Sequence, residues 1–160
     1  MDQTAAAYNM ENARAHSVNS MGGGVQQAIQ NKWMFVAGFN TINIFKDIPL
    51  GKAYEVHSYI VYWEKEAGWW FFDHTFVCPE SGKILANGMT RVMLRDLKTK
   101  QRIHMPEYLA LMNVSRECPE MPERVKRYHE LDDQTRYRME AWRGNEQVQP
   151  SLMEALVSPK

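Results

Sequence analysis

At 160 residues the chain is the size of one ordinary domain, long enough to bury its own core and too short for two well-developed ones. Nineteen Lys and Arg residues against nineteen Asp and Glu leave a formal charge of zero, so no global field draws in nucleic acid or an anionic membrane, and weak repulsion between copies makes a homo-oligomer the expectation. A hydrophobic share of 44% with 11% aromatics excludes disorder as the global state.

The residues Met1 to Ala7 lack the basic start and apolar stretch of a secretory signal, and no segment holds the roughly 20 apolar residues that span a bilayer. From Asp2 to about Asn19 the chain favours a helix, with Asp2 or Thr4 as N-cap and Ala5, Tyr8, Ala15 and Val18 near helical spacing. Met21-Gly22-Gly23-Gly24 breaks it, and a short helix over Val25 to Asn31 follows. The glycine run is no phosphate loop, since neither a preceding strand nor a following Lys-Ser/Thr is present. Four strands are expected over Trp33 to Phe45, Ala53 to Glu64, Trp69 to Val77 and Lys83 to Arg95. The short turns between the last three require an antiparallel meander. In the second strand Tyr54, Val56, Ser58, Ile60 and Tyr62 alternate with Glu55, His57, Tyr59, Val61 and Trp63, so both faces are partly apolar. Met105-Pro106-Glu107 opens a short helix to about Met112. A longer, charge-dense helix over Glu120 to Arg143 carries a thin apolar stripe, and Gly144 to Lys160 reads as a tail. The two cysteines, Cys78 and Cys118, make no disulfide framework and no CxxC pair, which fits a reducing, cytoplasmic setting with no metal site.

Gly51-Lys52-Ala53-Tyr54-Glu55-Val56, Trp63, Trp70-Phe71-Phe72-Asp73-His74-Thr75-Phe76 and Gly82-Lys83-Ile84-Leu85-Ala86-Asn87-Gly88 resemble the run G-D-x-Y-E-V, W, F-x-x-H-x-F, G-x-x-x-A-x-G of hotdog-fold proteins. Glu11-Asn12-Ala13-Arg14 is similar to the E-x-A-R turn in the central helix of acyl-CoA thioesterases of the 4-hydroxybenzoyl-CoA thioesterase-like superfamily. The resemblance spans about Tyr8 to Asp96. It implies an α+β hotdog fold, a curved antiparallel sheet wrapped around a central helix, with extra C-terminal helices. The domain reading is a hotdog domain over 1–103, a helical extension of it over 104–143 and a tail over 144–160. The resemblance also implies a homodimer and action on an acyl thioester without a cofactor. Such thioesterases carry an aspartate on a strand and loop before the central helix; this chain starts almost inside that helix, so the family's usual aspartate position is absent.

Thioester hydrolysis needs a group that activates the attacking oxygen and donors for the oxyanion. Glu11 is the carboxylate best placed for it, or else it pairs with Arg14 one turn on. Asn12 and His16 complete a candidate catalytic set, and Asn9 lies near helical register with both; each is otherwise a surface residue. His57 and His74 sit in mid-strand as pocket walls or hydrogen-bonded sheet residues. Arg91 is read either as a carboxylate or phosphate ligand or as an ion-pair partner, and Trp63 with the neighbouring aromatics as core or acyl tunnel. Three functions remain open: hydrolysis of an acyl thioester, polyketide release by cyclisation to a pyrone or lactone, and acyl binding without catalysis.

Overall fold

The computed structural model describes residues 2–49 and 51–144, and the chain divides into two compact units, Met1–Met121 and Pro122–Lys160. The first begins with α1, Gln3–Ser20. Asp2 is its N-cap, with Oδ1 accepting the Ala5 N–H at 2.7 Å, which satisfies one of the orphan donors of the first turn. Gly22 and Gly23 at φ 97° and 75° turn the chain through left-handed geometry that a Cβ disfavours, and α2, Gly24–Gln30, follows. Five strands come next: β1 (Trp33–Ile44), β2 (Glu55–Trp63), β3 (Trp69–Val77), β4 (Ile84–Asp96) and the short β5 (Arg102–Ile103). They form one antiparallel sheet in the order β1-β4-β3-β2, with β5 on β4, so β1 and β2 are the edges. Helix α3, Met105–Leu111, has Pro106 in its first turn, where the missing N–H costs nothing. The second unit contains α4, Glu123–Gly144; the tail expected over 144–160 lies, after Gly144, outside the described residues.

The buried stripe of α1 is Ala6, Met10, Arg14 and Val18, spaced one residue per turn. Of the expected stripe Ala5, Tyr8, Ala15 and Val18, Val18 belongs to this buried set, whereas Tyr8 is 67% exposed and Ala15 is exposed. Proximity of the backbones explains the choice of residues. A Cβ on Gly88 would stand 2.5 Å from Met10 Sδ and 2.7 Å from the Thr41 carbonyl oxygen, so only a small or pliable side chain fits beneath the helix here.

Beneath α1 the core is in two parts. Ala6 and Met10 pack with Phe76 and Ala86 at one end, and Val18 packs with Trp63, Trp70, Phe72, Val92, Leu94 and Tyr108 at the other. Between them the inner face of the sheet carries polar residues in register: Ser58 beside His74, Asn40 beside Thr90, with His74 Nε2 and Thr90 Oγ1 joined at 3.0 Å. His74 and Thr90 are fully buried.

Three register shifts interrupt the described sheet, one of them between Phe76 and Val77 at the end of β3, and the other two bear on the expected site residues. One at Val61, between Ile60 and Tyr62, brings Trp63 opposite Trp70 and into the larger cluster. Strict alternation had set Trp63 with Glu55 and His57; the extra residue of the bulge reverses the parity. The second lies at Gly38, where a Cβ would meet the Trp69 ring at 2.6 Å, and the Arg91 guanidinium carbon lies over that ring, 4.3 Å from its centroid.

Gly24 tests the packing of the larger cluster. Alanine raises helix propensity by about 1 kcal/mol, but its Cβ would lie 2.3 Å from the Tyr108 hydroxyl and 2.7 Å from the Val18 carbonyl oxygen. Backbone does not yield cheaply, so crowding at about 1–3 kcal/mol prevails. Gly24→Ala is expected to lower the melting temperature by a few degrees, measured by circular dichroism; an unchanged or higher value would refute this packing.

Candidate active site

Arg14 is 6% exposed yet lies on the buried stripe of α1, and its place midway between Met10 and Val18 puts it at the level of the polar belt. Its Nη2 donates to Glu11 Oε1 at 2.6 Å, and Glu11 is 63% exposed. Burial lowers the guanidinium pKa, and the Glu11 charge and hydrogen bond act against that loss. Desolvation dominates, so the pair is a repair of a buried charge rather than a source of net stability.

Along the other flank of α1 a groove of about 330 Å³ separates the helix from β2. Ala13, His16, Ser17, Ser20 and Met21 form the helical wall, Val56, Ser58, Tyr59 and Ile60 the strand wall, and Arg116 joins them from the segment after α3. The helical side is mostly polar and the strand side mostly apolar, the mixed lining that binds an acyl group with a polar end. No Asp or Glu is among these residues. Ser58 belongs to the strand wall, and its Oγ is buried without a protein hydrogen-bond partner.

The expected site residues divide into separate places. Asn9, Asn12 and His16 follow one flank of α1 by the 3.6-residue period, and of these His16 lines the groove. Asn9 Nδ2 donates to the Ala5 carbonyl and to the Tyr54 hydroxyl, each at 2.7 Å, which ties the helix start to the residue before β2. Glu11 lies on the opposite flank with Arg14, away from His16. His57 is on the outer face, its Nε2 2.9 Å from Glu55 Oε2. Arg91 is also on the outer face, His74 is in the belt and Trp63 in the larger cluster. Sequence reasoning missed Ser17, Ser20, Ser58 and Arg116. The serines share helical or strand parity with residues it did consider, whereas Arg116 left no signal, because only the fold returns its segment to α1.

A helix backed by an antiparallel sheet in this order of elements is the hotdog architecture. The model of the thioesterase-like superfamily matches residues 3–127, and the chain belongs to that family. Among solved structures it is similar to the probable thioesterase YbaW of Escherichia coli (15% identity, TM-score 0.61, covering 71% of this chain and 83% of that one). It is also similar to a DHNA-CoA thioesterase of Staphylococcus aureus (14%, 0.60, 84% and 82%). A third similar structure is a hypothetical protein of the same organism solved in complex with CoA (12%, 0.61, 78% and 80%). At these identities the likeness establishes the fold. No curated protein matches the chain by sequence. Among the described residues no helix is long and apolar enough to cross a membrane.

The Arg14–Glu11 pair supplies a test in two halves. Glu11→Gln leaves a buried guanidinium without its counter-charge and is expected to cost about 1–2 kcal/mol, the exposure of Glu11 keeping it below the usual figure for a buried pair. Arg14→Met with Glu11→Gln removes both charges and should recover most of that loss in urea unfolding. A double variant less stable than Glu11→Gln alone would show that the guanidinium makes contacts of its own worth keeping.

Proposed function

We propose that this protein hydrolyses an acyl thioester, with the acyl group lying in the groove between α1 and β2. His16 takes a proton from water as the oxygen attacks the thioester carbonyl. The Ser58 hydroxyl donates to the oxyanion, and collapse of the tetrahedral intermediate breaks the C–S bond, the thiolate receiving the proton from His16. Arg116, on the groove lining, supplies the charge for an anionic part of the substrate. Glu11 holds Arg14 instead of the water. The observation that carries this reading is the convergence of an imidazole and an unpartnered buried hydroxyl on one groove in a chain of the thioesterase-like superfamily. CoA is the favoured carrier of small acyl groups, since one similar structure is a complex with it. In the same reading two copies pair along the free edge of β1, which exposes Met34 and Ile44.

Release of a tethered acyl chain by cyclisation is the second reading, and the absence of any carboxylate among the groove residues favours it, because an internal hydroxyl already positioned for attack needs less activation than water does.

Acyl-CoA esters with aliphatic, aryl and hydroxyaryl groups, assayed for released thiol, decide between these. His16→Ala is expected to lower kcat by about 10²–10⁴-fold with the melting temperature unchanged, since His16 is exposed. Ser58→Ala should lower kcat by about 10²–10³-fold. Thiol release with a lactone or pyrone as product identifies cyclisation, and binding of the esters with no turnover rejects both catalytic readings.

A further inference from the structure

The groove between α1 and β2 has two unlike ends. Asn9 Nδ2 donates to the Tyr54 hydroxyl near the start of both elements, and Val18 and Trp63 share the larger cluster near the end of both, so helix and strand run in the same direction. Their lining segments, Ala13 to Met21 and Val56 to Ile60, cover the same length, each roughly 12–13 Å. His16 therefore stands about level with Ser58, and Ser20 and Met21 about level with Ile60. The segment after α3 closes this second end. Met112 lies against Gly22, its carbonyl oxygen 3.5 Å from where a Cβ on that glycine would stand, and the Val114 N–H donates to the Leu109 carbonyl at 3.0 Å. Further on, the Cys118 thiol donates to the Trp63 carbonyl at 3.1 Å, at the end of β2. Arg116 falls between these anchors, which sets it at the Ser20 and Ile60 end. It also lines a second depression, of about 420 Å³, with Leu109, Asn113 and Val114, so it belongs to the ridge that divides the two.

Among the described lining residues Arg116 carries the permanent positive charge, and no carboxylate among the described residues pairs with it. The Ser20 hydroxyl spends its proton on the Ser17 carbonyl at 2.8 Å, which leaves the guanidinium to meet an anion at this end. From His16 to Ser20 the helix rises roughly 6 Å, and Met21 and Ile60 make the wall apolar where that stretch ends. We infer that Arg116 selects acyl groups that end in a carboxylate, an inference that rests on the hydrolase or release reading above. The thioester lies at His16 and Ser58, the methylenes of a dicarboxylic half-thioester pass along the apolar wall, and the far carboxylate meets the guanidinium. An uncharged acyl chain of the same length would take water from the cation and offer no counter-charge in return. The phosphates of a carrier such as CoA are the other source of an anion. They stand many bonds from the sulfur, whereas the distance from His16 to this end suits a short chain.

Paired esters of equal length test this, glutaryl against pentanoyl and adipyl against hexanoyl, with the preference read as a ratio of kcat/KM. The native chain is expected to favour the carboxylated member by about tenfold. Arg116→Gln should abolish that preference through KM, and Arg116→Lys should retain part of it. Arg116 is exposed, so the variants are expected to fold, as an unchanged melting temperature would verify. No preference in the native chain, or a loss in Arg116→Gln that both members of a pair share, would overturn the inference. The same acyl groups on N-acetylcysteamine, which bears no phosphate, should give the same ratio; a loss confined to the CoA esters would mark a phosphate site and overturn it too. If no thioester is turned over, calorimetric binding of the CoA esters separates the two readings. Tighter binding of the adipyl ester, lost in Arg116→Gln, upholds the carboxylate site and rejects hydrolysis, whereas equal binding of adipyl and hexanoyl esters rejects both.

Discussion

The closeness with which α1 can lie on the sheet governs the rest of the first unit. Gly88 has no side chain to hold the helix off, and Met10 bends its thioether into the space over it, against the Thr41 carbonyl. With Ala6 and Ala86 packed at the same end, that end of the helix is drawn down on small residues and the other on large aromatic ones. A helix seated this way has little freedom to slide, because a one-turn slip would set either the charged Arg14 or the much smaller Ala6 over Gly88 in place of Met10. The same constraint fixes which flanks remain open. His16, Ser17 and Ser20 are left along β2, where the helix and the edge strand diverge into a groove, and their positions follow from the stripe that is buried.

The seating also leaves a polar layer where a single core would otherwise be. Arg14 at the centre of the stripe, over a sheet bearing Ser58, His74 and Thr90, interrupts the apolar packing between the two clusters. A guanidinium here has no claim as a stabiliser, since desolvation outweighs its pairing with Glu11. Helical register sets Glu11 on the flank opposite the groove, and Arg14 engages it there. The groove lining therefore holds no carboxylate, and its titratable side chains are His16, Tyr59 and Arg116.

Elements written as local patterns were legible in the sequence. The limits of β3 and the Asp2 cap agree with the reading from residues, as does the meander set by short turns, and the motif run around Tyr54 and His74 pointed to the family. What could not be read depends on single insertions and on distance. One bulged residue at Val61 moves Trp63 to the other face, and nothing in a run of aromatic and β-branched residues announces where a bulge falls. Arg14 is buried although its residue type argues for exposure, because stripe membership is decided by the approach of Gly88 to Met10, one helical turn away, a tertiary contact that no local pattern announces. Ser58 was visible as a strand residue, but its unpartnered hydroxyl is a property of the packed groove.

Charge shows the same division between a sum and an arrangement. Zero net charge describes the field far from the molecule, and at physiological ionic strength that field is screened beyond roughly 8 Å. A partner close enough to bind senses only the charges within such a distance. At the corner between α2 and the turn after β4 these are Lys32, Arg95, Lys98 and Lys100, with Asp96 engaged by its own turn. Neutrality of the whole chain therefore excludes nothing at this corner; it requires only that the compensating acids lie elsewhere.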